Sequence, residues 1–290
     1  MYKANYIPLL NKIKQEIKTI YHRPISWFGR INVVKMVLVP KIIYKFQMVP
    51  VAVPQTYIKI LNSLLMNYIW KNKRQRISAQ VLKPKKKTGG LAVPDISKYY
   101  VATVLARIIE WAKENPDKRW INIECALARA QLGRIIWNPP QHRTLDTSAH
   151  EITFNALRVW DRVHKQLKSK FNSPLMDLKD NEYFAPGTEG VGGNWIKNRT
   201  QVRDIIQKGK ILTHHEIKAK IESMRLDEWR YMQLALFIKR LPLPLRPRED
   251  YTPIEKLCIT DSSKGNISKI YRFLFKREEL EIPKYILKCT

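Results

Sequence analysis

Residues 95–112 read DISKYYVATVLARIIEWA, and this stretch decides the fold. Its apolar residues recur at helical spacing on one face and then widen that face: Ile96, Tyr100, Val104, Ile108 and Trp111, with Val101, Leu105, Ile109 and Ala112. A helix with so broad an apolar face is buried on several sides. Asp95 stands where an N-cap side chain is needed, and Asn115-Pro116 ends the pattern. We therefore expect a mainly α protein whose central helix spans 96–112.

Two further helices are predicted upstream of the central one. Ser26 can cap an apolar segment over 27–39, and Pro40 is expected to end or kink that helix. Pro54 suits the first position of the next helix, whose apolar residues recur at spacings of three and four up to Trp70.

The segment between these helices and the central one is strongly basic. Lys71–Lys87 carries eight Lys or Arg and no Asp or Glu in seventeen residues. Over 77–93 the apolar alternation is short and is broken by prolines and glycines, which favours a small β-hairpin or an ordered loop. Across residues 1–90, 18 Lys and Arg stand against one acid, Glu16. Such a field complements a phosphate backbone, and a solvated loop or a localisation signal is the alternative for the basic run.

The charge balance changes after residue 116, where acids begin to appear regularly. We predict one domain over 1–116, a boundary over 117–150 and a second helical, loop-rich domain over 151–290. Helices are expected within the second domain at 151–170, 214–239 with a break near Ser223, 253–259 and 267–279. Three alternating prolines fix φ over 241–247 and predict an extended connector there.

Composition indicates a folded intracellular protein with a polyanionic partner. The net charge is +28, but 44% of the residues are hydrophobic, which is too apolar for a disordered basic tail. Cys125, Cys258 and Cys289 are odd in number and too widely spaced for a metal pair or a compact disulfide framework, so a reducing compartment is expected. No apolar run is long enough to span a bilayer. These features predict the cytoplasm or the nucleus and no membrane span.

Catalytic patterns are absent from the sequence. It contains no Gly-rich phosphate loop ending in Lys-Ser/Thr, no His-Glu-X-X-His and no Gly-X-Ser-X-Gly elbow. No carboxylate occurs between Lys18 and Gly90, so this region cannot hold the cations of two-metal phosphoryl transfer. The acid pairs further along are typical of solvated loops and helix ends: Asp177 with Asp180, Glu249 with Asp250, and Glu278 with Glu279. We predict no catalytic residue, no metal site and no cofactor.

Five segments of the chain resemble one known family. They read WFGRINVVKM over 27–36, LVPKIIY over 38–44, IWKNKR over 69–74, GGLAVPD over 89–95 and YYVA over 99–102. In this order and spacing they resemble the thumb region of LINE-type non-LTR retrotransposon reverse transcriptases. The likeness is specific over 1–112. It is looser beyond, where 195–197, 228–234 and 268–274 look like the linker that follows the thumb.

The resemblance implies a helical thumb-like domain that grips a template–primer duplex. The implied partner is the backbone of an RNA–DNA hybrid, of RNA or of DNA, contacted without base specificity. The residues implied for these contacts are Arg30, Lys35, Lys41, Lys73, Arg74, Arg76, Lys85, Lys86, Lys87, Gly89 and Gly90. In the family the polymerase acids stand in a Tyr-X-Asp-Asp motif upstream of the thumb. We therefore expect a fragment without palm, endonuclease or Cys/His knuckle, which binds nucleic acid but is not an enzyme by itself.

Three alternatives stay open at this point. The chain is a separately encoded thumb subunit that acts with the rest of a reverse transcriptase supplied in trans. It is a basic membrane-surface or scaffold protein that uses the apolar, lysine-containing segment around 31–45. Or it is the translation of a decayed element copy that performs no selected task.

Overall fold

The computed structural model of the protein is mainly helical, as predicted. It describes residues 1–85, 89–115, 117–138, 140, 143, 145, 151–166, 173–178, 200–207, 210–221, 226–240, 250–260, 262 and 264–281. In chain order its elements are α1 Tyr2–Tyr21, α2 Trp27–Val33, a π turn Val34–Leu38, α3 Val39–Met48, α4 Gln55–Trp70, α5 Ala79–Leu82, α6 Ile96–Lys113, α7 Arg119–Ala128, α8 Leu132–Ile135, α9 Glu151–Gln166, α10 Val202–Ile205, β1 Ile206–Gln207, β2 Lys210–Ile211, α11 His214–Lys220, α12 Glu228–Arg240, α13 Pro253–Ile259 and α14 Asn266–Glu281.

The described residues form two compact units that interleave along the chain. The first unit comprises Met1–Arg107, Phe154–Ala156 and Lys264–Thr290. The second comprises Ile108–Thr153 and Leu157–Ser263. Helix α14, at the end of the chain, therefore belongs to the same unit as α1 to α5.

The core of the first unit begins with α1, which packs on α4 through buried tyrosines. Tyr6 is fully buried, and its hydroxyl donates to the carbonyl of Val49 at 2.5 Å. Tyr57 on α4 donates in turn to the carbonyl of Tyr6 at 2.9 Å. Burial raises the pKa of both hydroxyls well above the usual range. These bonds fix α1 against α4 and the segment that follows α3.

The helix that starts at Trp27 does not end at Pro40, which excludes one of the two predicted effects of this proline, an end or a kink. Ser26 caps it as predicted, accepting from the Gly29 N–H at 3.1 Å, and helical structure continues through the π turn to Met48. A proline ring in a regular helix clashes with the carbonyl four residues back, here that of Met36. The preceding π turn is wider, because the Val39 N–H donates to the Val34 carbonyl five residues back. This widening accommodates the proline.

Two other sequence predictions for the first unit are confirmed. Helix α4 ends at Trp70, and α6 runs over Ile96–Lys113. The Asp95 carboxylate caps α6, since its Oδ1 accepts from the N–H groups of Ser97 at 3.0 Å and Lys98 at 3.3 Å.

Between α4 and α6 the described residues, 71–85 and 89–95, form a loop without strands, which agrees with the second of the two predicted alternatives. It includes the single helical turn α5. The N–H groups of Leu91 and Val93 both donate to the carbonyl of Leu82 at 3.0 Å, which folds the loop back on that turn. The strand pair that the structure describes is the antiparallel β1–β2, with Ile206 opposite Ile211 and Gln207 opposite Lys210.

The core of the second unit contains buried tryptophans whose indole N–H groups are hydrogen-bonded or whose rings contact each other. The indole of Trp111 donates to the carboxylate of Glu124 at 2.7 Å, and that of Trp160 donates to the carbonyl of Ile136 at 2.7 Å. Arg143 forms a two-pronged ion pair with Asp161, at 2.7 and 2.9 Å. These bonds hold Ile136 and Arg143, which follow α8, against α9.

The helices of the second unit match the sequence predictions in part. Helix α13 has the predicted bounds. Helix α11 ends at Lys220 and α12 begins at Glu228, so the predicted helix over 214–239 is interrupted, although Ser223 itself lies outside the described residues. Helices α7 and α8 lie within 117–150, where none was predicted. The last four residues of the predicted 151–170 helix and the connector over 241–247 lie outside the described residues.

Candidate nucleic-acid interface

Helix α4 ends in a tight turn that leads directly into the basic run. Trp70, its last residue, stacks on Trp27 with ring centres 5.5 Å apart and planes 10° from parallel. Lys71 and Asn72 then take left-handed φ angles of 54° and 56°. The Asn72 N–H donates back to the carbonyl of Asn67 at 2.9 Å, so the turn is held to the helix. Because the apolar stripe stops at Trp70, the side chains that follow reach solvent.

Five exposed cations come together at this end of α4. Tyr21, near the end of α1, lies 3.3 Å from the Asn72 side chain, so the two helix ends are adjacent. Burial raises the pKa of the Tyr68 hydroxyl, and Arg30 and Arg23 oppose that rise, which puts Arg23 at the same end. We use the name cationic cluster for the exposed residues Arg23, Lys71, Lys73, Arg74 and Arg76.

Arg30, one of the residues implied by the resemblance, faces inward. It is only 7% exposed, and its guanidinium donates to the carbonyl of Ile25 at 3.0 Å and, more weakly, to that of Tyr68 at 3.5 Å. The side chain thus ties the start of α2 to the last turn of α4. Arg30 is therefore buried behind the cationic cluster and is not part of its exposed surface.

Residues 1–107 contain two carboxylates, Glu16 and Asp95, and both are paired with lysines. Lys41 contacts Glu16 at 2.6 Å, and Lys83 contacts Asp95 at 2.6 Å. Lys35 is half-buried and donates to the carbonyl of Leu91 at 2.5 Å, which holds the loop before α6. Among the described side chains of the first unit, no unpaired carboxylate offsets the cationic cluster.

The loop over 83–93 contains the two glycines that the resemblance singled out. Gly89 has a φ of +81°, and its missing Cβ would point into open space. A Cβ on Gly90 would lie 2.1 Å from the carbonyl oxygen of Pro84, so here two backbone segments touch. Lys85 is exposed at the start of this turn. Lys86 and Lys87 lie outside the described residues.

The aromatic residues that flank the basic run are structural. Tyr68 and Tyr100 are buried, and Trp70 is covered by Trp27. The ring of Tyr99 stacks on Tyr271 of α14 at 3.9 Å with planes 14° apart. Burial raises the pKa of Tyr99, and the nearby Arg272 opposes the rise. Tyr68, Trp70 and Tyr100 are therefore buried in the core, and one face of the Tyr99 ring is covered by Tyr271.

Sequence reasoning missed a groove on the first unit. It has a volume of about 650 Å³ and lies between α3, the loop before α6, and α14. Its lining residues include Lys35, Lys83, Lys85, Arg272, Tyr44, Tyr99, Tyr271 and Phe275. Tyr44, on α3, is 62% exposed. The sequence contains one signal for this groove, because Tyr44 is an aromatic residue between Lys41 and Lys45. No local pattern, however, places α14 beside α3.

Over the described residues, no three His, Cys, Asp or Glu side chains gather as metal ligands would, and no helix combines the length and apolarity needed to cross a membrane. No protein-family model matches the chain.

Proposed function

We propose that this chain binds the sugar–phosphate backbone of a nucleic-acid duplex, an RNA–DNA hybrid or template–primer, in the manner of the thumb of a LINE-type reverse transcriptase. The observation that carries the proposal is the cationic cluster at the end of α4. The two carboxylates of residues 1–107, Glu16 and Asp95, are both neutralised by lysines. The resemblance over residues 1–112 supports the same partner.

The chemistry of the cluster suits phosphates and not bases. Lys71, Lys73, Arg74 and Arg76 follow each other within six residues of one exposed turn. Cations so arranged displace condensed counterions from a phosphate backbone, which gives tight binding that weakens steeply with salt. No recognition helix or strand presents them to base edges, so the binding is insensitive to sequence.

Within an intact polymerase of this family, such contacts would hold the primer end over metal ions that the palm binds. The first unit offers no unpaired carboxylate among its described side chains for that metal chemistry. We therefore propose that the chain binds a template–primer but does not extend it. Primer extension with the purified chain tests this part, and template-dependent synthesis by the chain alone would refute it.

Binding is tested with a fluorescently labelled RNA–DNA hybrid over a range of KCl concentrations. The logarithm of the association constant should fall linearly with the logarithm of salt. Changing Lys73, Arg74 and Arg76 together to Ala should reduce that slope by about three and weaken binding on the order of tenfold to a hundredfold for every sequence tested.

A matched control variant removes three positive charges from a different part of the protein. Arg158, Arg162 and Lys165 are exposed on α9, in the second unit. Changing these three to Ala should leave the slope and the affinity close to those of the unchanged protein. Equal losses in the two triple variants would mean that net charge alone drives binding, and no binding at low salt would refute the proposal.

A second candidate function is favoured by exposed apolar residues on the helical stretch from α2 to α3. Met36 is 78% exposed, and Tyr44 and Met48 are each 62% exposed, with Lys45 beside them. This combination suits the surface of an anionic membrane. Flotation with phosphatidylserine vesicles tests it. Flotation that is lost on changing Met36 and Met48 to Ser would establish this function in place of the first.

A further inference from the structure

Ser78 lies two residues after the last member of the cationic cluster. Arg74 and Arg76 precede it by four and two residues, and all residues over 71–78 are exposed. Because an extended chain spans at most about 3.6 Å per residue, the Cα of Ser78 lies within about 7 Å of that of Arg76 and about 14 Å of that of Arg74. A negative charge on the Ser78 side chain would therefore stand among the cations that the proposed duplex binding uses.

The backbone and the hydroxyl of Ser78 are accessible to an enzyme. Residues 73–78 lie between α4 and α5 in neither helix nor strand, and Ser78 has φ and ψ angles of −57° and 140°, close to those of an extended polyproline chain. Its Oγ accepts from the Gln80 N–H at 3.2 Å. A hydroxyl has two lone pairs and one proton, so this bond leaves one lone pair to attack a phosphorus atom and a proton to give away.

The charges that precede Ser78 match the substrates of one class of enzyme. Protein kinases choose substrates partly by charge, and those that prefer basic sequences hold the arginines before the target hydroxyl in acidic pockets. Guanidinium groups form bidentate, charge-assisted hydrogen bonds with carboxylates, so exposed arginines before a serine give strong selection. No Asp or Glu occurs over Lys71–Lys87 to oppose this recognition.

Other exposed serines of the first unit match such an enzyme less well. Ser26 has one arginine, Arg23, three residues before it, but the next residue is the first of α2 and is anchored by its ring stack on the last residue of α4. Ser63 and Ser268 are exposed within α4 and α14, where the backbone is helical, and the three residues before each carry no charge. Of these four serines, Ser78 combines two preceding arginines with an irregular backbone.

A phosphate on Ser78 would change the charge of this surface strongly. Phosphoserine carries about −1.5 to −2 charges at pH 7, so it would cancel roughly 30–40% of the charge of the five cations in the cluster. Its oxygens would also accept charge-assisted hydrogen bonds from the nearest guanidinium groups. Guanidinium groups engaged in this way are withdrawn from the phosphates of a duplex.

We propose that Ser78 is a phosphorylation site for a protein kinase that prefers basic sequences, and that its phosphate weakens duplex binding by neutralising the cationic cluster. In the reaction the Ser78 Oγ forms a bond to the γ-phosphorus of ATP, the bond from that phosphorus to the bridging oxygen of ADP breaks, and the hydroxyl proton passes to a basic group of the kinase. The effect on binding rests on the proposed function, whereas the modification itself is measured without nucleic acid.

The modification is tested on the full chain with Mg-ATP and two kinases that prefer basic sequences, cAMP-dependent protein kinase and protein kinase C. Mass spectrometry of the digested product should place the phosphate on Ser78. Ser78→Asn keeps a capping oxygen and should abolish this modification, while Ser63→Ala should leave it unchanged. Changing Arg74 and Arg76 together to Gln should slow it at least about tenfold, because the kinase loses charge-assisted contacts.

The effect is tested by titrating the phosphorylated chain with the labelled RNA–DNA hybrid. Phosphorylation should reduce the salt slope by about two and weaken binding on the order of tenfold. Ser78→Asp adds a single charge and should reduce the slope by about one, whereas Ser78→Asn should bind as the unchanged protein does. Arg162→Glu is the matched control, since it alters the charge by as much as a phosphate does but on α9, in the second unit, and it should leave the slope unchanged.

The outcomes separate this inference from the proposed function. No phosphate, or phosphate in place of Ser78 on Ser26 or on Thr88, which the structure does not describe, overturns the inference. If the chain phosphorylated on Ser78 binds the hybrid as tightly as the unmodified chain, or loses no more affinity than Arg162→Glu does, the inference is overturned and duplex binding stands. If Ser78 is phosphorylated in an arginine-dependent way but the unmodified chain binds no hybrid at low salt, the modification site stands and the proposed function fails.

Discussion

Gly89 and Gly90 are neighbours with different reasons for being glycine. At Gly89 the φ of +81° disfavours any side chain, although the space around it is open. At Gly90 a Cβ would lie 2.1 Å from the Pro84 carbonyl oxygen, and the Gly90 N–H donates to the carbonyl of Lys85 at 3.1 Å. The first constraint is conformational and the second is steric contact with backbone.

The two glycines should therefore respond differently to alanine. Gly89→Ala should lower the free energy of unfolding by about 1 kcal/mol, the cost of a left-handed alanine. Gly90→Ala should lower it by about 3 kcal/mol, because the clash is with backbone that cannot rotate away. Urea denaturation of the two variants checks this order. Equal losses would mean that the loop over 83–93 moves freely.

Arg30 yields a second prediction at the scale of one residue. Lysine cannot donate to both the Ile25 and Tyr68 carbonyls, so Arg30→Lys should lower the free energy of unfolding by about 2 kcal/mol. Binding of the hybrid by the folded variant should stay within about twofold, because so little of the side chain reaches solvent. Arg23→Lys, at an exposed neighbour, is the control and should leave stability unchanged. Weaker binding at unchanged stability would show that Arg30 contacts nucleic acid.

The sequence identifies Arg30 as a cation, but it does not show whether the side chain faces solvent or the protein interior. The family resemblance implies that both Arg30 and Lys73 contact nucleic acid, yet Arg30 is buried against α4 and Lys73 is exposed to solvent. The difference arises because α2 packs on α4, a contact between residues 38 positions apart. Exposure within the set was therefore decided by tertiary packing, which the motif does not encode.

At the scale of elements, the start of α6 depends on one carboxylate with two roles. Asp95 caps the helix through Oδ1 and pairs with Lys83 through Oδ2. Asp95→Ala should lower the free energy of unfolding by about 3 kcal/mol, since it removes a cap worth about 1 kcal/mol and leaves Lys83 without its partner. Asp95→Asn keeps a capping oxygen and should lose about half as much.

Asp227 provides the matched control for the cap alone. It accepts from the Arg230 N–H at 2.8 Å at the start of α12, but its side chain is 58% exposed. Asp227 also pairs with Arg230 at 3.5 Å, but that pair is exposed and is worth little, so Asp227→Ala should cost about the cap, roughly 1 kcal/mol. Urea denaturation monitored by tryptophan fluorescence compares the three variants. If Asp95→Ala cost no more than Asp227→Ala, the pair with Lys83 would contribute nothing.

Elements with strong local signals were predictable, and those set by competition between signals were not. The cap at Asp95 and the bounds of α13 follow from capping residues and periodicity that act locally. Pro40 is a strong helix breaker by itself, but the π turn before it removes the clash on which that rule rests. Helices α7 and α8 are short, ten and four residues, so their periodicity was too brief to stand out.

At the scale of the whole molecule, the return of α14 to the first unit is the largest feature that local patterns could not reveal. The bond between Asp95 and Tyr271 joins residues 176 positions apart. Nothing in the spacing of either segment marks the other as its neighbour. The groove, which needs α3 and α14 together, was hidden from sequence reasoning for the same reason, whereas the basic run could be located directly.

The net charge of +28 yields a prediction for the whole molecule. So large an excess repels itself in the folded state, and salt screens that repulsion. Raising KCl from about 10 to about 100 mM shortens the screening length from roughly 30 to roughly 10 Å. The melting temperature should therefore rise, by about 3–6 °C. Affinity for the hybrid should fall at least about a hundredfold over the same range, because salt competes for its phosphates.

The two triple-alanine variants distinguish the global effect of charge from the local one. Self-repulsion depends on total charge, so removing three cations from either the cluster or α9 should reduce the salt-induced rise in melting temperature by similar amounts. Binding depends on where the cations stand, so only the cluster variant should show a smaller salt slope. Melting curves and binding titrations on the same samples check both statements. A melting temperature that falls with added salt would mean that ion pairs such as Arg143–Asp161 outweigh the repulsion.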